Sequence, residues 1–379
     1  MEILDLSLLN FRNFTSRKFV FDKNLTVIIG ANGAGKSNIL EAISLVCGVR
    51  PTHIESDLDL VRFGKSEAKI GSRVQAFGSE VFDDELRRIA QARRGIGFSR
   101  ELVINFQVID ERVIRKSYLI DGLKKRYANF LEILSIVVFH PEDLDFVAGS
   151  PSLRRHHLDS ILSISDKDYW RNISSYGKVV TRRNRILNRV AEGKSKPLEL
   201  NFWDQRLLEH GKYVSKKREE FINFVNLMES ASFTSEVKNS NTSEVFFGGL
   251  RFELKQSLIS EEKLLKNRER DIAAGVTLSG PHRDDFRFIF KDKDLAYFGS
   301  RGEQRMAVLA LKLSELEYLK VQRGARPILA LDDIFSELDW EHRATVLSVI
   351  GNQQTIITAA EKDSVPKNLL KKAKVIKLY

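Results

Sequence analysis

The sequence has 379 residues, of which 42% are hydrophobic and 30% charged, so we expect a soluble globular protein with two or three structural units. No run approaches the ~20 apolar residues that cross a bilayer, and Glu2 and Asp5 lie where a secretion signal would be basic, which predicts a cytoplasmic protein. One cysteine, Cys47, excludes a disulfide framework or a thiolate-rich zinc site, so oxygen ligands are expected for any metal. The net charge of +10 suits a polyanionic partner, either nucleic acid or a membrane surface.

Strand patterns dominate the N-terminal region. Alternation in EILDLSLL, followed by KFVF and the apolar run NLTVIIG, predicts three strands that end at Gly30. The apolar period becomes helical from Lys36 to Cys47. Between residues 51 and 140, further strand candidates are KIGSRVQAF, ELVINFQVI, RVIRKSYLI and SIVVF, which predict a mixed and partly antiparallel lobe.

Helical spacing replaces the strand signals between about residues 150 and 230. Leu207, Val214, Phe221 and Met228 recur every seven residues. The apolar residues that a coiled coil needs between them are largely missing, so we expect a compact helical insertion and no long coiled coil.

The C-terminal region returns to strands and helices. Strands are predicted at SEVFFGGLRFEL, DDFRFIF, RPILALDD, TIITA and VIKL, with helices at Glu303 to Leu319 and from about Trp340. Alternation at both ends around a helical block predicts a discontinuous α/β domain interrupted by an insertion. The expected parts are residues 1–150, residues 151–235 as the helical insertion, and residues 236–379.

A GxxxxGKS phosphate loop lies between a predicted strand and a predicted helix. Its glycines let backbone N–H groups converge on a phosphate, and the helix N-terminus adds partial positive charge. Lys36 is expected to reach the β and γ oxygens, and Ser37 to offer a hydroxyl to Mg²⁺. A glycine-rich turn that matches by chance is the alternative, and both flanks count against it. The predicted nucleotide-binding residues here are Gly30, Ala31, Asn32, Gly33, Ala34, Gly35, Lys36, Ser37 and Asn38.

The segment ILALDD supplies the second element that a nucleotide-hydrolysing site needs. An apolar strand of this kind is typical of the middle of a parallel sheet, and it ends in Asp332 and Asp333. We expect Asp332 to hold the metal and Asp333 to orient or deprotonate a water molecule. A helix cap is the alternative for two adjacent aspartates. Lys36 and Asp333 are the predicted catalytic residues.

Two further segments resemble the ABC ATPases. Ser300–Arg305 resembles their signature loop, in which a serine and a glycine at a helix N-terminus can bind a γ-phosphate; here these are Ser300 and Gly302. Ser336–Asp339 resembles their D-loop. In that class the signature loop of one subunit closes on the nucleotide held by another, so the resemblance implies an ATP-dependent homodimer.

Within that class the sequence is similar to the RecF family, recombinational-repair ATPases related to the heads of SMC proteins. The similarity runs through NFRNF, GANGAGKSNILEAI, VVFHPEDLDFVAGSPSLRRHHLD, LSGPHRDDF, FGSRGEQRMAVLALKLSELEYL and PILALDDIFSELDWEHR. It implies an ABC-type ATPase head with the helical insertion as its second lobe. It also implies that Arg12 and Asn13 lie over the nucleotide near the phosphate loop, and that the segment from His140 to Asp143 links the nucleotide to the helical lobe.

Three positions depart from the wider ABC pattern. Asp333 replaces the usual glutamate, and its shorter side chain predicts slow hydrolysis. No histidine follows TIITA, where Thr358 is the nearest polar candidate, and Arg301 replaces the first glycine of the signature loop.

Positive charge is concentrated in the helical insertion, where residues 151–230 contain 16 Lys or Arg against 10 Asp or Glu. Such residues can neutralise DNA phosphates without reading bases, although a solvated helix face is the usual alternative. The predicted DNA-binding residues are Arg182, Arg183, Arg185 and Arg189. A second basic group is Lys212, Lys216, Lys217 and Arg218, and a competing surface in the first lobe is Arg87, Arg88, Arg93 and Arg94.

The function implied by the resemblance is ATP-dependent binding to double-stranded DNA and to single-strand/double-strand junctions. It includes a weak DNA-stimulated ATPase with Mg²⁺, cooperation with the RecO and RecR proteins in loading RecA, and a nucleoid-associated location. The alternatives are the ATPase subunit of a membrane transporter, which leaves GPHRDD and the basic insertion unexplained, and an SMC-like structural ATPase, which would need sustained heptads. A small-molecule kinase would need neither a signature loop nor a D-loop.

Overall fold

The structure is a computed structural model that describes residues 1–51, 54, 56–76, 98–110, 113–230, 249–337 and 340–379. The strands are β1 (Glu2–Phe11), β2 (Phe14–Val20), β3 (Leu25–Ile29), β4 (Glu67–Ala76), β5 (Phe98–Asp110), β6 (Val113–Ile120), β7 (Leu123–Lys125), β8 (Ile136–Phe139), β9 (Leu250–Lys255), β10 (Asp285–Phe290), β11 (Lys293–Asp294), β12 (Ile328–Asp332), β13 (Thr355–Ala359) and β14 (Lys374–Lys377).

The helices are α1 (Lys36–Val46), α2 (Tyr127–Phe130), α3 (Asp145–Ala148), α4 (Pro151–Ser165), α5 (Lys167–Ala191), α6 (Leu200–Ser230), α7 (Glu261–Ala274), α8 (Leu295–Phe298), α9 (Arg301–Arg323), α10 (Ile334–Glu337), α11 (Trp340–Val349) and α12 (Lys367–Leu370). None of the helices in the described ranges has the length and apolar character needed to cross a membrane.

The described residues form two compact units. One unit contains residues 1–144 and 308–379, and the other contains residues 145–230 and 249–307. Residues 249–307, which we expected in the C-terminal part of the ATPase head, thus cluster with the helical block. The functional division into lobes stays a prediction.

The first unit contains two sheets. One has the order β2-β1-β4-β5-β6-β7, and all of its neighbours are antiparallel. The other has the order β14-β3-β13-β12-β8, and all of its neighbours are parallel. The region between residues 51 and 140, predicted to be mixed and partly antiparallel, supplies β4 to β7 to the antiparallel sheet and β8 to the parallel sheet, which agrees with that prediction. The central parallel strands are buried along their whole length, which explains why their sequences are apolar without alternation.

The parallel register brings the functional candidates to one edge of the sheet. Asp332 pairs with Thr358, and Leu331 pairs with Phe139. Gly30 and His140 follow β3 and β8 directly. The carboxyl ends of these strands therefore lie at the same edge of the sheet, which is where ligands bind in open α/β sheets.

The second unit is built on α4, α5 and α6. Asp166 caps α5 by accepting hydrogen bonds from the N–H groups of Asp168 and Tyr169. Three of the four residues in the seven-residue repeat on α6 are buried, namely Leu207, Val214 and Phe221, and Met228 is half-buried. A three-stranded antiparallel sheet of β11, β10 and β9 completes this unit. The predicted compact helical block is thus observed. Helix α9, predicted separately from Glu303 to Leu319, runs from Arg301 to Arg323 and is longer than predicted.

Candidate functional site

The phosphate loop connects β3 to α1 as predicted, and its backbone requires glycine. Gly33 and Gly35 have φ angles of 82° and 98°, in the left-handed region. A Cβ atom on Gly35 would lie 2.7 Å from Asn13 Nδ2 and 2.8 Å from the ring of Phe14. Any other residue at position 35 would therefore strain the backbone, because of the positive φ angle, and its Cβ atom would clash with Asn13 and Phe14.

Lys36 is held against the start of this loop. Its Nζ atom donates hydrogen bonds to the carbonyl oxygens of Gly30 at 2.8 Å and Ala31 at 3.1 Å. The side chain is buried. A fixed positive charge thus lies beside the loop whose amides are expected to bind phosphate.

Asn13 lies against the phosphate loop, whereas Arg12 is turned toward α1. Asn13 Oδ1 accepts a hydrogen bond from Asn38 Nδ2 at 2.9 Å. Arg12 Nε donates to Glu41 Oε2 at 2.8 Å, and Glu41 is buried on α1. The structure therefore brings Asn13 and Asn38 together beside Gly35, and contact of Arg12 with a nucleotide stays a prediction.

Asp332, the last residue of β12, is the centre of the strand-end site. Its Oδ1 atom accepts a hydrogen bond from Thr358 Oγ1 at 2.6 Å, and its Oδ2 atom lies 3.3 Å from His140 Nδ1. Burial alone would raise the pKa of Asp332, but hydrogen bonds from His140, Thr358 and Ser37 outweigh burial and lower it. The carboxylate is therefore kept ionised beside the Ser37 hydroxyl.

The pair of Ser37 and Asp332 fits a magnesium ion. Both groups offer oxygen, which Mg²⁺ prefers, and the carboxylate is charged. Within the described ranges no group of three or more His, Cys, Asp or Glu side chains could hold a metal ion by itself. This suits Mg²⁺, which protein sites commonly bind with one or two carboxylates together with substrate phosphates and water.

His140 connects Asp332 to helix α9 through Asp143 and Lys312, all of which belong to the first unit. The backbone N–H of His140 donates to Asp143 Oδ2 at 2.8 Å, and Lys312 Nζ lies 3.2 Å from the same oxygen. Burial alone would lower the pKa of His140, but the hydrogen bond with Asp332 and the charge of Asp143 raise it. Lys312 was not predicted, although its position on the apolar face of α9, three residues after Leu309, was a signal for a buried lysine with a partner.

Asp333 has a left-handed backbone that is held from two sides. Its φ angle is 47°. Its N–H donates to Thr358 Oγ1 at 3.0 Å, and its carbonyl oxygen accepts from Ser336 Oγ at 2.7 Å. The Thr358 hydroxyl therefore donates to Asp332 and accepts from Asp333. Thr358, predicted only as the nearest polar residue after TIITA, fixes the geometry of both acids.

Ser300 and Gly302 lie at the start of α9 in the second unit. The Ser300 N–H and Oγ donate to Glu303 Oε2 at 2.8 and 2.9 Å, and Ser300 Oγ accepts from the Glu303 N–H at 3.3 Å. This capping box lowers the pKa of Glu303 through its hydrogen bonds with Ser300. Apart from its chain neighbours and its own helix backbone, no atom of the described residues lies within 4 Å of a Cβ built on Gly302, so packing among those residues does not explain this glycine. Of the predicted D-loop, residues 338–339 lie outside the described residues.

One predicted DNA-binding residue is wrong. Arg183 has none of its surface exposed. Its guanidinium donates to Asp204 Oδ1 and Asp271 Oδ2, both at 2.7 Å, and to Thr277 Oγ1 at 2.9 Å. Arg183 cannot reach a DNA phosphate and instead holds the interior of the second unit together. Its spacing from Tyr176, on the buried face of α5, was the available signal.

The second basic group is largely engaged within the chain. Arg218 is buried and pairs with Asp159 and Asp284, each at 2.8 Å. Lys217 lies 2.9 Å from Glu220 and 3.7 Å from Asp166. Lys212 and Lys216 are exposed. The competing residues Arg87, Arg88, Arg93 and Arg94 lie outside the described residues.

Four exposed cations in the C-terminal half of α5 form one row, which we call the basic ridge: Lys178, Arg182, Arg185 and Arg189. Their spacings of four, three and four residues place them on one helix face, over about 17 Å at ~1.5 Å per residue. No acidic residue occurs on α5 between Tyr169 and Ala191. The ridge is therefore a continuous line of positive charge.

Comparison with known proteins agrees with this architecture. The sequence matches the family described as RecF/RecN/SMC N terminal domain over residues 2–377. It is 32% identical to the DNA replication and repair protein RecF of Moorella thermoacetica, covering 98% of this chain and 94% of that protein. It is 35% identical to the RecF of Agathobacter rectalis, covering 99% and 96%.

A solved structure of "the recombination mediator protein RecF-ATPrS in RecFOR pathway" superimposes with a TM-score of 0.81 at 27% identity, covering 100% of this chain and 96% of that one. The predicted α/β fold of an ABC-type ATPase head is thereby confirmed. The full-length sequence match, the shared fold and the phosphate loop facing a strand-end aspartate agree with one another. The chain belongs to the RecF family of DNA replication and repair proteins.

Proposed function

We propose that this protein binds ATP, hydrolyses it slowly, and uses ATP binding and hydrolysis to control its binding to DNA during recombinational repair. The observation that carries the proposal is the parallel register of β3, β13 and β12, which places the phosphate loop after β3 and Asp332 at the end of β12 at the same edge of the sheet. It joins two motifs that are remote in sequence into one oxygen-rich site beside the Lys36 ammonium. Relatives and solved structures of the same family carry the names RecF and RecF-ATP.

Each residue of the site has a distinct role in this proposal. The loop amides and Lys36 bind the phosphates, and Ser37 and Asp332 hold Mg²⁺, which supplies positive charge to the reacting phosphates. Asp333 orients the attacking water. Its left-handed backbone is fixed by Thr358, and its side chain is one methylene shorter than the glutamate of related ATPases, so turnover should be slow.

The signature loop completes the proposed site from a second copy. The N-terminus of α9 carries Ser300 and Gly302, and the space around Gly302 is open. In a dimer, this end of the helix meets the γ-phosphate held by the neighbour. ATP would thus join two copies on DNA, and hydrolysis would release them.

The basic ridge on α5 is the proposed contact with duplex DNA. Lys178, Arg182, Arg185 and Arg189 can neutralise phosphates of any sequence. Cooperation with RecR and RecO and the loading of RecA at single-strand/double-strand junctions belong to the same proposal. The pathway name of the solved relative supports it. Family membership favours this function over a transporter ATPase or an SMC-like structural protein.

Light scattering tests the proposal with the wild type, Lys36→Ala and Asp333→Asn, each with and without ATP and Mg²⁺. The wild type should shift toward twice its 43.4 kDa mass with ATP and return as ATP is consumed. Lys36→Ala should stay unchanged because it cannot hold the phosphates. Asp333→Asn should form the dimer and keep it. A wild-type mass that ATP does not alter, in the presence and absence of duplex DNA, would refute the ATP-driven dimer.

A further inference from the structure

The start of α6 presents an aromatic side chain to solvent. Phe202 is 57% exposed, and Leu198 in the turn before it is 73% exposed. Trp203, by contrast, packs against the core cluster that contains Tyr176 and Val179. The Phe202 and Trp203 rings meet edge to face, with centroids 5.1 Å apart. Trp203 is therefore an anchor that holds the exposed ring of Phe202 in place.

Two arginines lie over these rings. The Cζ atom of Arg182 is 5.8 Å from the centroid of Trp203, and that of Arg206 is 5.8 Å from the centroid of Phe202. Both distances are within the ~6 Å range of a cation–π contact. Arg182 also belongs to the basic ridge, so the aromatic pair is continuous with it. We call Arg182, Phe202, Trp203 and Arg206 the aromatic platform.

Two acidic residues near the platform are paired with cations, whereas Glu199 is exposed and accepts a hydrogen bond from the Lys196 backbone N–H at 3.1 Å. Asp204 is buried and pairs with Arg183 and Arg268. Glu209 pairs with Arg206 at 2.8 Å, with both side chains about half exposed. Such an exposed pair is weak, so a ligand can replace it at little cost.

We propose that the aromatic platform stacks an unpaired nucleobase of a strand whose duplex portion lies on the basic ridge. Every base has a π-face, and proteins that bind single strands combine exposed aromatic rings with arginine and a positive track. A protein partner fits less well, because Leu198 and Phe202 are the large apolar side chains exposed here and they make a small patch. The proposal rests on the proposed DNA binding and adds the part of the DNA that the ridge does not contact.

Fluorescence anisotropy with three DNA probes tests the platform at one fixed salt concentration, with ATP and Mg²⁺ present. The probes are a blunt duplex, the same duplex with an overhang of about four nucleotides on either strand, and the same overhangs built from abasic nucleotides. For the wild type, one base-bearing overhang should tighten binding about fivefold or more over the blunt duplex. The abasic overhang should give little of this gain, because the phosphates are kept and the rings are lost.

Variants of Phe202 separate stacking from apolar contact. Phe202→Ala should lose the gain from the overhang and keep the blunt-duplex affinity. Phe202→Tyr should retain the gain, whereas Phe202→Leu, which keeps apolar bulk without a π-face, should lose it. Because Phe202 is exposed, the unfolding temperatures of all three variants should match that of the wild type.

The failures of the two proposals differ in this experiment. Wild-type protein with no duplex affinity refutes the proposed DNA binding and the platform with it. Wild-type protein that binds the blunt duplex but gains nothing from an overhang of either polarity overturns the platform alone. Full gain in Phe202→Leu also overturns it, because the contact would then be apolar docking.

Discussion

Both faces of α5 carry arginine, but the buried arginine stabilises the fold and the exposed arginines can bind phosphate. Arg183 points into the unit, has no exposed surface and is paired with Asp204 and Asp271. Arg182 and Arg185, one residue before it and two after it, are exposed. Positive charge counted along a segment therefore does not locate a DNA surface. The helix face on which each charge lies decides whether it stabilises the fold or is free to bind phosphate.

Replacing Arg183 should give the largest effect. In Arg183→Met the buried Asp271 loses the cation paired with it and Asp204 keeps only Arg268 of its two, so the free energy of unfolding should fall by about 3–5 kcal/mol. Arg185→Ala, an exposed residue on the same helix, should change it by less than about 0.5 kcal/mol. Chemical denaturation of both variants measures the difference. Equal stabilities would mean that the two faces of α5 do not differ in the way the structure shows.

The strand-end site shows why sequence motifs predict functional residues more reliably than residue composition does. The phosphate loop and Asp332 were located because fixed spacing and a flanking strand are required for their chemistry. Lys312 and the double role of Thr358 were not, because their partners lie far away in the sequence. The parallel register of β12 and β13 brings Thr358 to Asp332, and the packing of α9 brings Lys312 to Asp143. Sequence periodicity fixes which face of an element is apolar but does not identify the residue opposite.

The same limit explains the error on α5. Arg183 shares a helical face with Tyr176, Val179 and Leu187, which all belong to the buried stripe. A charge in such a stripe requires buried partners. Those partners, Asp204 and Asp271, come from two other helices, so no local pattern could name them. The helical segment and the buried position of Arg183 could be inferred from the sequence, whereas the identity of the residues that pair with Arg183 could not.

Removing the Thr358 hydroxyl should have the next largest effect. Thr358→Val keeps the shape of the side chain but leaves Asp332 Oδ1 and the Asp333 N–H without this partner. We expect ATP hydrolysis to fall roughly tenfold or more, equivalent to about 1.4 kcal/mol, while ATP binding changes little. Steady-state hydrolysis and equilibrium ATP binding together test this.

Two variants control for that experiment. Thr358→Ser restores a hydroxyl and should recover most of the hydrolysis. Thr26→Val removes a buried hydroxyl from neighbouring β3, where Thr26 Oγ1 accepts from the Asp22 N–H at 2.9 Å, and should leave hydrolysis unchanged. If Thr26→Val and Thr358→Val were equally impaired, a general loss of sheet stability would explain both, and Thr358 would have no positioning role.

The smallest effect concerns the exposed face of α5. Lys178→Ala with Arg185→Ala removes two cations of the basic ridge without disturbing a buried pair. Each lost phosphate contact should reduce the slope of log affinity against log salt by ~0.9 on duplex DNA, about equally for unrelated sequences.

The matched control is Lys212→Ala with Lys216→Ala, which removes the same charge from exposed positions on α6. If long-range attraction by the net charge of +10 were responsible for binding, both double variants would weaken binding and lower the slope equally, because each removes two positive charges. Contact with the ridge instead requires that the slope fall only in the α5 variant. Equal slopes would move the DNA surface to the first lobe, where Arg87, Arg88, Arg93 and Arg94 are the residues to replace next.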